Sequence, residues 1–135
     1  MAAVAIFYGF VLIVKGSESI PYMLDDPDHE KVHMNSFDYK PEEYERISGW
    51  IDDHLRKQGI DDKKTEAAKE LFLSLCDKTE EKAGKNRVLG ECVIRFIEDP
   101  EIIVKDNGEL FKPDIDDERL SYNTLMSCNS STIRV

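Results

Sequence analysis

The chain has 135 residues, and its 18 basic and 28 acidic side chains give a formal net charge of −10. This length fits a single domain with one hydrophobic core. Apolar residues make up 41% of the chain, which excludes wholesale disorder, and 7 glycines with 5 prolines exclude a collagen-like or low-complexity protein. The lysines and arginines are dispersed among acidic residues, so general nucleic-acid binding is not expected.

The cysteines and histidines predict neither disulfides nor a metal site. The histidines lack the H-x₃-H or H-E-x-x-H spacing of zinc proteins, and no set of carboxylates and cysteines accompanies them. The cysteines are odd in number, far apart and without a C-x-x-C pair, which predicts buried, reduced thiols of a cytosolic protein at Cys76, Cys92 and Cys128.

The first 15 residues differ sharply in composition from the rest. Met1–Val14 contains no ionisable side chain except Tyr8, and Lys15 ends the run. A helix of this length spans about 21 Å, whereas the apolar core of a bilayer is about 30 Å thick. We interpret the segment as the end of a transmembrane helix, with a buried core element as one alternative. A signal peptide is the other, although no basic region precedes the run and no A-x-A site follows it.

An acidic, polar linker is predicted for residues 16–31, and regular secondary structure begins after it. Weak alternation of apolar and polar residues predicts a strand across Lys31–Tyr39. Pro41 is typical of a first helical turn, and the basic residues before Gly59 are typical of a helix end. The apolar side of this helix is formed by Tyr44, Ile47, Trp50, Ile51 and Leu55.

A second helix is predicted to start at Asp61 or Asp62 and to end at Gly84. Its apolar side recurs at helical spacing and consists of Ala68, Leu71, Phe72, Leu75 and Thr79. The period then changes to two, which predicts a strand with one side formed by Val88, Cys92, Ile94 and Phe96.

Three further strands are predicted, at Glu101–Lys105, Tyr122–Met126 and Ser131–Val135, with a turn signal at Asn107-Gly108. Helices followed by a run of strands indicate the α+β class. We therefore predict a domain at residues 32–135 that is a two-layer sandwich, with the helices on one face of a mainly antiparallel sheet.

Two polar residues on the second predicted helix have a spacing that brings them together. Glu70 and Ser74 are four residues apart, so their side chains lie on one face about one turn from each other. A carboxylate and a hydroxyl placed in this way are candidates for a site, and each is also an ordinary residue for a solvated helix surface.

The end of the predicted strand Glu101–Lys105 carries a second candidate feature. Asp106 follows the strand, and Gly108 permits close approach to the backbone two residues later. Phe111 and Pro113 come next, so the run has the form D-x-G-x-x-F-x-P.

These two features, in this order, resemble the Bergerat (GHKL) ATP-binding fold shared by gyrase, histidine kinases and anti-sigma-factor serine kinases. The resemblance covers about Phe37–Val135, and the D-x-G-x-x-F-x-P form is typical of the anti-sigma branch. It implies that Glu70 corresponds to the catalytic general base and that Ser74 replaces the asparagine that holds Mg²⁺ and the phosphates. It also implies that Asp106 accepts from the adenine amino group, that Gly108 lets the base approach, and that Phe111 belongs to the nucleotide site.

The sequence departs from that family after Pro113. Residues 114–120 form a short, glycine-free segment with four carboxylates, where family members have a lid and a glycine-rich phosphate cradle. Without a metal these carboxylates would repel a triphosphate. The resemblance therefore implies a degenerate domain that binds ATP and Mg²⁺ weakly or not at all and acts as a regulatory or interaction module instead of an enzyme.

Two alternatives stay open. One is an active Mg²⁺-dependent ATPase or serine kinase of the same fold with Glu70 as general base, and the other is an acidic α+β interaction domain unrelated to ATPases. The apolar start combined with this domain resembles the cytoplasmic C-terminal tails of some bacterial multidrug and toxin extrusion (MATE) transporters. That likeness implies a protein partner and a location at the inner face of the cell membrane.

Overall fold

Two helices and five strands occupy the part of the chain that the computed structural model describes, residues 31–135. The predicted end of a membrane helix at residues 1–15 and the predicted linker, apart from Lys31, lie outside the described residues. Within residues 31–135, no helix has the length and apolar character needed to cross a bilayer. In chain order the elements are β1 (Val32–Asp38), α1 (Pro41–Lys57), α2 (Asp62–Ala83), β2 (Leu89–Arg95), β3 (Glu101–Asp106), β4 (Leu120–Leu125) and β5 (Cys128–Arg134).

Residues that favour helix ends mark both helices, and α2 also has a side-chain cap. Pro41 lies in the first turn of α1 and is followed by two acidic residues, which the positive end of the helix dipole attracts. Asp61 caps α2, because its Oδ1 accepts a 2.8 Å hydrogen bond from Lys64 N. Gly84 follows α2 with a φ of 59°, in the left-handed region that favours glycine. The two predicted helices are thus confirmed.

The strands form one sheet in the order β1-β2-β3-β5-β4. β3 is antiparallel to both β2 and β5, and β4 is antiparallel to β5. β1 runs antiparallel to β2 as well, because Tyr39 N after its end donates to Val88 O just before β2. β1 and β4 are therefore the two edges of the sheet.

The hydrophobic core lies between the two helices and one face of this sheet. From the sheet, Ile94 of β2, Ile102 of β3 and Ile133 of β5 are fully buried. The helices contribute the apolar sides that helical spacing predicts, chiefly Ile47, Ile51, Leu55, Leu71, Phe72 and Leu75, with Trp50 packed at the margin. Two helices on one face of an antiparallel sheet confirm the α+β class.

A glycine in β2 makes room for two aromatic rings. A Cβ atom at Gly90 would lie 2.6 Å from the ring of Tyr39 and 2.7 Å from that of Phe37. Phe37 in turn packs edge-on against Phe72 of α2, with ring centroids 5.7 Å apart. The missing side chain at Gly90 thus lets Phe37 reach from the edge strand into the helix layer.

The last two strands begin earlier than the sequence predicts. β4 starts at Leu120 instead of Tyr122, and β5 starts at Cys128 instead of Ser131. Met126 and Ser127 form the turn between them with φ values of 53° and 64°. Such turns favour glycine, asparagine and aspartate, and because none of these occurs at the two positions, the sequence carries no signal for the turn.

The cysteines confirm the prediction of burial in two cases of three. Cys76 and Cys92 are buried, whereas Cys128 is half-buried, and all three are free thiols. Burial raises the pKa of the Cys76 and Cys92 thiols, which disfavours the reactive thiolate.

Candidate functional site

Asp106, the last residue of β3, is buried on the side of the sheet that faces the helices. Only 8% of its surface is exposed. Its Oδ1 accepts a 2.8 Å hydrogen bond from Gly108 N and a 2.9 Å bond from Asn129 Nδ2, whereas its Oδ2 has no hydrogen-bond donor among the described residues. Burial raises the pKa of this carboxyl, and the two donors oppose that shift.

Asn129 of β5 connects the loop after β3 to the β4–β5 hairpin. Its Nδ2 also donates to Glu109 O at 3.0 Å, and its Oδ1 accepts from Phe111 N at 3.0 Å and from Tyr122 Oη at 2.6 Å. Both donor positions and both acceptor positions of the amide are therefore in use. The sequence pattern did not assign Asn129 any of these partners.

A small cleft lies between α2 and the loop after β3. Its volume is about 10 Å³, enough for about one water molecule. A purine ring is many times larger, so a base would enter only if the lining residues moved apart. The cleft is lined by Thr79, Lys82, Ala83, Val88, Asp106, Gly108, Glu109 and Phe111.

Three of the predicted site residues, Asp106, Gly108 and Phe111, line this cleft together. Gly108 is tightly enclosed, because a Cβ there would lie 3.2 Å both from Asp106 Oδ1 and from the Val88 side chain. The small residue that the D-x-G pattern requires therefore lies where a side chain would crowd the aspartate.

The other two predicted site residues, Glu70 and Ser74, lie elsewhere on α2. Both are exposed, and neither lines the cleft. The helix reaches the cleft with Thr79, which is about 7.5 Å beyond Ser74 along the helix axis. Sequence reasoning assigned Thr79 to the core and passed over Lys82, because helical spacing alone does not reveal which buried position borders a cleft.

The acidic segment after Pro113 contains one arginine, Arg119, which pairs with a carboxylate of the same segment. Arg119 Nη2 donates a 2.7 Å hydrogen bond to Asp117 Oδ2, and bonds from Arg119 lower the pKa of Asp117 to about 2. The hydrogen bonds to Asp117 raise the pKa of Arg119. The negative charge of Glu70 raises it further by a smaller amount. Glu70 therefore lies near a guanidinium that Asp117 already holds.

A wider groove of about 290 Å³ shares Val88 with the cleft and is lined by side chains of both charges. Its cations are Lys40 and Arg87, and Arg87 makes a two-pronged pair with Asp38 at 3.1 and 3.0 Å. The hydrogen bonds from Arg87 lower the pKa of Asp38. Because Asp38 already pairs with Arg87, the groove presents mixed charge, which does not favour an anion.

Two histidines stack on each other near the C-terminal end of α1. The ring centroids of His33 and His54 are 4.1 Å apart with an interplanar angle of 30°, and Trp50 packs edge-on against His54. The two rings therefore make a tilted stacking contact. In residues 31–135 no group of three or more histidine, cysteine, aspartate or glutamate residues is placed to hold a metal.

A scan of the chain against models of protein families found no match, and searches of curated proteins and of solved structures found none either.

Proposed function

We propose that this domain is a degenerate relative of the ATP-binding domains of histidine kinases and anti-sigma-factor kinases that acts as a regulatory or interaction module. The observation that carries the proposal is the environment of Asp106. The carboxyl is buried at a strand end facing α2, next to a glycine, which is the setting expected for an adenine-binding aspartate. Beside it, however, there is space for about one water molecule.

The order of the elements supports the same proposal. A strand and two helices precede the β2–β3 hairpin, and the aspartate follows β3 before a loop and two closing strands. This is the order in which the resemblance places its two motifs, with the first on the second helix and the second at the end of the strand that carries Asp106.

The surroundings of Glu70 favour a module over an enzyme. A general base must reach the group from which it takes a proton, directly or through one water. Glu70 is exposed, does not line the cleft and lies near Arg119. Ser74 offers only a hydroxyl, and the segment at residues 114–120 has no glycine with which to build a phosphate cradle.

The partner in this proposal is a protein. A chain with a net charge of −10 favours partners with basic surfaces and disfavours nucleic acid. The apolar segment at residues 1–15 would attach the module to the cytoplasmic face of a membrane, in the manner of a transporter tail.

Calorimetric titration with adenosine, ADP and ATP, each with and without Mg²⁺, tests the proposal. We expect weak binding that is nearly independent of phosphate number, or no binding, because the phosphates find no cradle. Asp106→Asn keeps an oxygen for Gly108 N and Asn129 but replaces the free Oδ2, so any adenosine binding should be lost. Asp77→Asn, an exposed residue of α2 outside the cleft, is the matched control and should leave binding unchanged.

Tight, Mg²⁺-dependent binding of ATP, with a turnover that disappears in Glu70→Ala, would contradict the degenerate assignment and show an active enzyme. Binding of adenosine that survives Asp106→Asn would place the base elsewhere.

A further inference from the structure

The two edges of the sheet are protected to different extents. At the β1 edge, Arg46 Nη2 donates to Ser36 O at 2.7 Å, and Glu43 Oε1 accepts from Asp38 N at 3.4 Å. Because Tyr39 pairs with Val88, the alternation of the ladder turns the backbone groups of Ser36 and Asp38 away from β2. Charged side chains of α1 therefore occupy this edge, a common protection against pairing with another chain.

Among the described residues, no charged side chain protects the β4 edge in this way. Residues 120–133 contain neither a charged side chain nor a proline, in a chain of which 34% is charged. Arg134 N donates to Arg119 O at 2.8 Å, which fixes the alternation of the β4–β5 ladder. The backbone groups of Leu120, Tyr122 and Thr124 consequently point away from β5.

The outward donors of β4 differ in whether they already have a partner. Leu120 N donates to Asp117 O at 3.0 Å, and Thr124 N donates to Asn123 Oδ1 at 2.7 Å. In the described part of the chain Tyr122 N is the outward donor of β4 with no acceptor. It lies at the centre of the strand, beside its own outward carbonyl.

We propose that β4 pairs antiparallel with β4 of a second copy of this chain, about a two-fold axis at Tyr122. In this arrangement Tyr122 N of each copy donates to Tyr122 O of the other, and the two rings become cross-strand neighbours. Leu120 of each copy lies opposite Thr124 of the other. The pattern is self-complementary, as a two-fold interface requires.

The self-complementary pattern around Tyr122 favours a second copy as the occupant of this edge, and the absence of charged side chains in β4 permits it. Two copies that each carry a net charge of −10 repel each other across most of their surfaces, and β4 with its hairpin is a stretch where close approach brings no charged side chains together. Hydrogen bonds of the backbone supply the attraction. Because a single strand pair buries little surface, the dimer is a weak one.

Asn123 limits the strength of this pairing. Its Oδ1 occupies Thr124 N, which would otherwise donate to Leu120 O of the second copy. By symmetry, removing the amide frees one such donor in each copy. The proposal concerns the sheet edge and does not depend on the proposed function of the Asp106 cleft.

Sedimentation of the full chain up to about 1 mM tests the proposal, since weak association is detectable in that range. We expect a concentration-dependent dimer, and Asn123→Ala should lower its dissociation constant by roughly fivefold or more by freeing two hydrogen bonds. Thr124→Pro spares the β4–β5 ladder but places the proline ring at an outward backbone position, opposite Leu120 of the second copy, and should abolish the dimer by blocking its close approach. Met34→Pro, at an outward position of β1, is the matched control. Hydrogen exchange at the Tyr122 amide should slow as concentration rises.

A chain that stays monomeric up to about 1 mM would overturn the proposal. A dimer that survives Thr124→Pro, or one that forms while exchange at the Tyr122 amide stays independent of concentration, would show association through another surface and would overturn it equally.

Discussion

Asn129 Nδ2 donates a 2.9 Å hydrogen bond to Asp106 Oδ1 between neighbouring positions of β5 and β3. Replacing Asn129 by alanine should lower the free energy of unfolding by about 2–3 kcal/mol, because several buried or half-buried groups lose their partners together. Tyr122→Phe removes a single bond of this network and should cost about 1 kcal/mol. Urea unfolding of both variants measures the difference, and equal losses would mean that the asparagine does not link the loop to the hairpin.

Leu71 and Leu73 are two residues apart on α2 but differ in environment. Leu71 is 6% exposed and belongs to the core, whereas Leu73 is 38% exposed. Leu71→Ala should therefore cost roughly 2–5 kcal/mol as a core truncation, and Leu73→Ala less than about 1 kcal/mol. Thermal or urea unfolding compares them. A loss below about 1 kcal/mol at Leu71 would contradict the packing of α2 on the sheet.

Alanine substitutions at Gly90 and Gly49 should have opposite effects on stability. At Gly90 the new methyl group would meet the rings of Tyr39 and Phe37 at 2.6 and 2.7 Å, so we expect a loss of about 1–3 kcal/mol. At Gly49 nothing lies within 4 Å, and alanine in the middle of α1 should stabilise the protein by up to about 1 kcal/mol. Melting temperatures that move in the same direction would refute the close contact at Gly90.

Acidification should weaken the protein through His54. Burial chiefly lowers its pKa below 6.5, His33 and Lys57 add to the shift, and Asp53 opposes it. The unfolded chain therefore takes up the proton first, and stability falls as pH drops below about 6.5 until the folded protein titrates as well. His54→Gln should flatten the dependence of unfolding free energy on pH between about 5 and 7. An unchanged slope in that variant would assign the effect to other groups.

The carboxyl groups act in different ways across the same titration. The pKa values of Asp106 and Glu91 are raised by burial, so these two groups bind protons more readily in the folded state and favour folding on acidification. The hydrogen bonds from Arg46 lower the pKa of Glu43 from 4.5 to about 2, so the stability that this group contributes is present above about pH 4.5 and is lost as the pH falls towards 2. The comparison with His54→Gln separates the histidine from both effects.

The helices and the core were predictable because their signals are local. The spacing of Ile47, Ile51 and Leu55 fixes which side of α1 is buried, and Asp61 and Gly84 mark the ends of α2. The predicted starts of β4 and β5 were two and three residues too late, because Met126 and Ser127 adopt a turn conformation that their side chains do not favour.

In the candidate site, the residues that are close in sequence could be predicted, and those that come from other elements could not. Asp106, Gly108 and Phe111 lie close in sequence, so their pattern already indicates a shared location. Thr79 and Asn129 reach the same place from α2 and β5, and only tertiary packing brings them there. Glu70 and Ser74 show the converse case, because a spacing that places two residues on one helix face does not state which neighbour that face meets.

We expect β3 to acquire its second neighbour late in folding, because β5 lies between β3 and β4. The β2–β3 hairpin closes over a short connection, whereas β3 meets β5 only after a longer segment that includes β4 has been brought back to it, and closing a longer loop costs more entropy. Until then, β3 presents an open row of backbone donors and acceptors. Refolding at high protein concentration should therefore lose material to aggregates that the finished sheet, with β3 enclosed on both sides, does not form.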